Sequence, residues 1–275
     1  MKKIVIFSIV LVSILTIVFS RYQYDQKLKT TASEAQTVFE EIKIENEQIK
    51  EIEGKEAERE RLRLLTTNMA PSISQIVNEA VDENGQVNIV VVGSDSLVIT
   101  EERESWLTLV QSHLDQHYEG ALFSVESVIY DGKSSYEVLA EQGYTRVIEK
   151  KPDILIVEPF LLNDNGIALI SDTLNYLEVF LSEIKEIYED IIVIIQPPAP
   201  LYQSAYYLTQ VEEINAYSDN NNYIYFDHWT NWPDSDDEGI KDFLDGKIPN
   251  QEGHKLWAEY INNYFVARDI AANEE

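Results

Sequence analysis

Cysteine is absent from the 275 residues, which excludes disulfides, thiolate metal sites, a cysteine nucleophile and a lipidated N-terminal cysteine. Positive charge is scarce: 21 Lys and Arg stand against 49 Asp and Glu, for a net charge of −28. A phosphate backbone carries the same sign, so nucleic acid is set aside as a partner. Histidine is also sparse, and imidazole chemistry has to come from His113, His117, His228 or His254. No cofactor and no metal site is expected. What is present is enough apolar material for a core, 44% hydrophobic and 11% aromatic residues, which argues against a disordered chain. The length supports one or two domains.

Lys2-Lys3 precede an uncharged run, IVIFSIVLVSILTIVFS, over residues 4–20. As a helix it rises about 26 Å, the short limit for crossing a bilayer. The run ends Val18-Phe19-Ser20-Arg21, a poor match to the small-residue pattern of a signal-peptide cleavage site. Residues 1–21 are therefore expected to be an uncleaved signal anchor, with the lysines inside and the remainder on the extracellular side of the cell membrane. The alternative is a cleaved secretory peptide, which also places the body outside. Residues 22–86 read as a helical stalk or linker. Residues 32–65 contain no proline and are rich in Glu, Lys, Gln and Arg, and Phe39, Ile42, Ile49 and Ile52 form a narrow apolar stripe. Gly54 is expected to interrupt the stalk, and the stripe covers too few heptads to define a coiled coil. A solvated spacer is the simpler expectation, with a partner-binding helix as the other.

From Val87 the pattern changes. Short β-branched runs at 88–92, 123–130, 153–157, 191–195 and 223–227 alternate with helical stretches at 101–118, 136–150, 174–188, 204–216 and 251–266. Five apolar strands separated by helices predict an α/β domain with a parallel sheet covered on both faces, over residues 87–275. Ligands of such sheets sit beyond the carboxyl ends of the strands. The first strand runs into Gly93-Ser94-Asp95-Ser96-Leu97, the second into Asp131-Gly132-Lys133-Ser134 and the third into Glu158-Pro159-Phe160-Leu161-Leu162-Asn163-Asp164. Beyond the fifth lies Asp245-Gly246-Lys247-Ile248-Pro249-Asn250-Gln251-Glu252-Gly253-His254.

These four segments, in this order, resemble the SGNH (GDSL-type) hydrolases. That family carries Gly-Asp-Ser after strand one, Gly after strand two, Gly-x-Asn-Asp after strand three and Asp-x-x-His-Pro-Asn-x-x-Gly-His before the last helix. The resemblance covers roughly residues 87–268. It implies a three-layer, flavodoxin-like fold and hydrolysis of esters, including acetyl groups on polysaccharides, although some members transfer the acetyl group. By this resemblance Ser96 is the nucleophile. The backbone amides of Ser96 and Gly132 and the side-chain amide of Asn163 are the oxyanion donors, and Asp245 orients the base. The implied substrate is an acylated carbohydrate or another small ester on a cell-surface or extracellular glycan.

The chain departs from the family at three positions. Ser94 replaces the Gly before Asp-Ser, Leu161 replaces the Gly of Gly-x-Asn, and Ile248 stands where the catalytic His belongs. An alkyl side chain accepts no proton, so the base is His254, His228 or missing, and a non-catalytic relative that binds glycan or a surface partner is the alternative function. His113 and His117, four apart, lack the glutamate of the zinc-protease motif and read as surface residues. Residues 234–245 have calcium-loop spacing in part, but Lys241 breaks it and an acidic solvated loop is preferred. Trp229 and Trp232 fit either a sugar-stacking wall or the core.

Overall fold

The computed structural model describes residues 2–97, 104–118, 120 and 122–267. The chain divides into two units, Met1–Glu58 and Arg59–Glu275. The first is occupied by α1, a helix that runs unbroken over Lys2–Leu65. Gly54 does not interrupt it. A lone glycine costs a helix about 1 kcal/mol, which the strong helix formers on both sides outweigh. Among the described residues α1 is the one helix long and apolar enough to cross a membrane, with a mean hydropathy of 2.5 over its most apolar window.

Residues 59–86, expected as stalk, belong to the second unit. Leu65, Met69, Ile73, Val77 and Val81 recur every four residues, and all are buried in the same core. Ile73, Val77 and Val81 lie on α2 (Pro71–Glu83), which starts on a proline whose missing N–H is not needed there. Arg63 pairs with Asp82 at 2.5 Å within this segment, and the Ala267 N–H reaches the Leu65 carbonyl, which ties it to the chain beyond α9.

The domain is a five-stranded, all-parallel sheet: β1 (Val87–Gly93), β2 (Phe123–Ile129), β3 (Ile154–Val157), β4 (Ile192–Ile195) and β5 (Ile224–Tyr225), in the order β2-β1-β3-β4-β5. The continuous apolar runs follow from coverage on both faces. Ile89, Val91, Ile154, Ile156 and Ile194 face one core, with α2, α3 (Trp106–His117) and α9 (Gln251–Phe265). Val90, Val92, Leu155, Val157, Val193 and Ile195 face the other, with α4 (Ser135–Ala140), α5 (Tyr144–Ile148), α7 (Ile170–Lys185) and α8 (Ala205–Asn220). α6 (Leu161–Asp164) is a single turn after β3, and β6 (Leu244–Asp245) and β7 (Ile248–Pro249) form a small hairpin before α9.

Two helices start or break where the sequence pattern did not show it. Residues 101–103, expected at the start of α3, lie outside the described residues, and α3 begins after Ser105, whose Oγ accepts the Thr108 N–H. The single helix expected over 136–150 is α4 and α5. Between them Gln142 adopts a left-handed conformation, and Tyr130 Oη donates to the Gly143 carbonyl at 2.5 Å, a close approach that a side chain on residue 143 would block.

Gly253, in the first turn of α9, is a stronger case of the same kind. A Cβ there would fall 2.3 Å from the Phe243 carbonyl oxygen and 2.7 Å from the Trp232 ring. Alanine is the better helix former by about 1 kcal/mol, yet Gly253→Ala is expected to destabilise the domain by about 1–3 kcal/mol through overpacking. Urea unfolding of the two proteins checks this; an unchanged or raised midpoint means the contact relaxes.

Candidate active site

β1 lies between β2 and β3, so the connections leaving β1 and β3 diverge and open a crevice at their carboxyl ends. Three chain segments meet there. Ser94 and a 3-10 turn, Asp95–Leu97, follow β1. The turn Tyr130–Lys133 follows β2, and Glu158-Pro159-Phe160 leads from β3 into α6.

Gly132 sits at φ +66° in open space, so its requirement for glycine comes from the backbone conformation. Its N–H donates to Asp95 Oδ1 at 2.6 Å, and Asn163 Nδ2 donates to the same oxygen at 3.2 Å. The second Asn163 amide hydrogen goes to the Lys133 carbonyl at 3.1 Å. Asp164, fully buried, clamps this loop by accepting from the Ser135 N–H at 2.8 Å, Ser135 Oγ at 2.6 Å and Thr173 Oγ1 at 2.5 Å. The carboxylate thereby also satisfies a free N–H at the start of α4. Two donors thus converge on one anionic oxygen, and that oxygen belongs to Asp95.

Ser96 does not face those donors. It is 1% exposed, and its Oγ donates to Glu158 Oε2. Ser94 Oγ donates to Glu158 Oε1 at 2.7 Å. Burial pushes the Glu158 carboxyl up to about 7, against the lowering effect of these hydroxyls, with Asp95 adding to the rise. Asp95 and Glu158 are the two site residues that sequence reasoning missed. The available signals were a charged residue directly after the buried strand Ile154–Val157, and an acid one step beyond Gly93-Ser94.

His254 is buried in the first turn of α9, and its Nδ1 accepts the Trp106 N–H at 3.4 Å. Asp245 is exposed on the β6–β7 hairpin, opposite Ile248. β7 lies against the Asp95–Leu97 turn. Among the described residues, Ser96 Oγ bonds Glu158 and neither histidine. His228 is fully buried, stacks on Trp257 with ring centroids 4.0 Å apart, and has Nε2 2.9 Å from the Pro197 carbonyl. That contact puts its proton on Nε2 and leaves Nδ1 without a partner. Burial lowers its pKa to about 3, so the ring is neutral.

Trp232 is core, and the half-buried Trp229 donates to the Pro198 carbonyl at 2.8 Å and packs on Tyr207. The His113 and His117 rings touch at a tilt of 55° with centroids 4.5 Å apart; burial first, and His117 second, lower His113 to about 4. Among the described residues no group of three or more His, Asp or Glu could hold a metal ion. In the acidic loop Asp237 turns back to accept the Gly239 N–H, as a helix cap does.

No protein-family model matches the chain, and no curated protein sequence matches it. Solved structures do. An acetyl xylan esterase, AlAXEase, superposes with a TM-score of 0.53 at 16% identity, covering 64% of this chain and 98% of that one. The fold is that of the SGNH/GDSL hydrolases. A protein from Desulfitobacterium hafniense, classed as a lipolytic protein of the G-D-S-L family, gives 0.53 at 16% identity over 65% of this chain and 99% of its own. The lipase/acylhydrolase from Enterococcus faecalis gives 0.51 at 20%, over 68% and 97%.

On this SGNH scaffold Glu158 has a measurable signature. The unfolded chain releases its proton near 4.5 and the folded chain near 7, so between those values the native state binds more protons and stability falls as pH rises. The loss across that window is about 3 kcal/mol. Glu158→Gln keeps hydrogen-bonding capacity toward Ser94 and Ser96 but cannot titrate. Urea midpoints at pH 5 and pH 8 should therefore separate less in the variant than in the parent; equal separations overturn the assignment.

Proposed function

We propose that the domain is an ester hydrolase of the acetyl-esterase type, acting on an acylated carbohydrate outside the cell and held at the membrane by residues 1–21. The observation that carries this reading is the convergence of the Gly132 N–H and Asn163 Nδ2 on one anionic oxygen, the requirement for stabilising a tetrahedral oxyanion. The acetyl xylan esterase with the same fold supports the acylated-sugar substrate, and the N-terminal apolar helix supports the anchor.

In this reading the acyl oxygen displaces the Asp95 carboxylate from the two donors. Ser96 Oγ turns toward the acyl carbon and gives its proton to Glu158, already its partner and tuned near neutrality. The sugar hydroxyl leaves with a proton from Glu158, and water resolves the acyl-serine by the reverse transfer. Glu158 then performs the role that falls in the family to the histidine position occupied here by Ile248, for which His254 with Asp245 was the expected replacement. A second reading, a non-catalytic relative that binds glycan in the same crevice, is favoured by the alkyl Ile248 at the position that resembles the family's histidine and by the burial of Ser96.

A fluorophosphonate probe on the full chain in detergent, read by intact mass, decides between them. Hydrolysis predicts a single adduct, abolished in Ser96→Ala and formed about 100-fold more slowly or worse in Glu158→Gln. Its rate should rise with pH through about 7 as Glu158 loses its proton. No adduct on protein shown to be folded overturns the hydrolase and leaves the binding reading.

A further inference from the structure

A polar groove runs beside the crevice, and the acyl chemistry leaves it unused. Its first stretch, about 410 Å³, is lined by Leu161, Leu162 and Asn165 on one side and by Gln203, Tyr206 and Lys247 on the other. A second stretch, about 500 Å³, continues past Tyr202 and Lys241 and shares Leu201, Ser204 and Lys247 with the first. Each is of the size that holds a small ligand. The groove adjoins the donors, because Leu162 directly precedes Asn163 on α6. Its inner wall is the buried Tyr207, whose phenol is held well above its usual pKa by burial first and by the charge of Glu158 second. Two of the lining residues are fixed in place. Gln203 adopts a left-handed φ of +50°, and its N–H donates to the Ser235 carbonyl at 2.8 Å. Tyr202 lies under Lys241, whose Nζ is 4.0 Å from the ring centroid and pairs with Glu238 at 2.7 Å.

We propose that this groove seats the sugar chain of an uncharged, O-acylated polysaccharide, so that the acyl group removed in the crevice is carried by a residue within a polymer. The proposal rests on the hydrolase reading and extends it from the bond cleaved to the chain that carries it. Among the described residues, the side chains of Asn165, Gln203, Tyr206 and Lys247 bond no other group of the protein. Amides, an ammonium and a phenol are donors and acceptors for sugar hydroxyls, and the exposed Tyr206 ring offers a flat apolar face to the C–H side of a pyranose. A long acyl chain in the same place would strand these polar groups without partners. Charge selects among polysaccharides. The protein carries a net −28, and the Ser235 carbonyl that holds Gln203 sits between Asp234 and Asp236, so a polyuronate or polyphosphate chain is repelled. Two stretches that share one wall also fit consecutive sugar rings better than one small ester.

The test compares a polymer with a small ester, using the full chain in detergent. In Gln203→Ala with Tyr206→Ala, the ratio of kcat/KM for acetylated xylan to kcat/KM for p-nitrophenyl acetate should fall about tenfold, mainly through KM for the polymer. The parent should act on acetylated xylan about tenfold better than on acetylated polygalacturonate, a polyanion. An unchanged ratio in the double variant overturns the proposal. So does equal action on the two polysaccharides, or cleavage of the small ester with none of acetylated xylan. If the parent cleaves no ester at all, the hydrolase reading falls and the groove is judged by binding alone. Retardation of the parent in a native gel containing xylan, relieved in the double variant, then supports the groove as a polysaccharide site; equal migration of the two proteins overturns it.

Discussion

A parallel sheet covered on both faces leaves only its strand ends for polar chemistry, and most of this domain follows from how those ends are closed. β1 and β3 are apolar on every residue that faces a core, so the polar backbone beyond them must be satisfied by side chains that arrive with the loops. Glu158 does this at the switch point by accepting the Ser94 N–H, and Asp164 does it where α4 begins. The carboxylate of Glu158 is held by hydroxyls and lies near the carboxylate of Asp95. Burial, with Asp95 adding and the hydroxyls opposing, raises its pKa to about 7.

The same closure determines what the site offers a ligand. Gly132 and Asn163 are aimed by a left-handed turn and a buried aspartate clamp, so their direction does not depend on substrate. Such preorganised donors stabilise an anion without rearranging. Asp95 currently supplies that anion. Any acyl oxygen or carboxylate that enters competes with the protein's own side chain, which links affinity at the donors to the freedom of one short turn.

The N-terminal unit obeys different physics. Its long helix has no core of its own, and its stability rests on helix propensity and on whatever covers its apolar runs. The bilayer-length apolar run is one such face.

Much of the fold was legible because buried parallel strands and amphipathic helices write distinct periods into a sequence. The five strands, their order of appearance and the loops after them follow from local hydrophobic pattern. Gly132 and Asn163 came from the resemblance to the SGNH hydrolases and not from periodicity; in the structure the N–H of one and the side-chain amide of the other bond Asp95. The domain's start was not legible, because Leu65 to Val81 repeat as any exposed amphipathic helix would and only contact shows them buried. Nor was the orientation within Asp95-Ser96. Both residues are small and polar and sit on adjacent positions of one turn, so local pattern cannot say which faces the donors and which faces the core. That choice is made by Glu158, sixty-odd residues away in sequence, and charge buried at such a distance acts only once the sheet has brought β1 and β3 together.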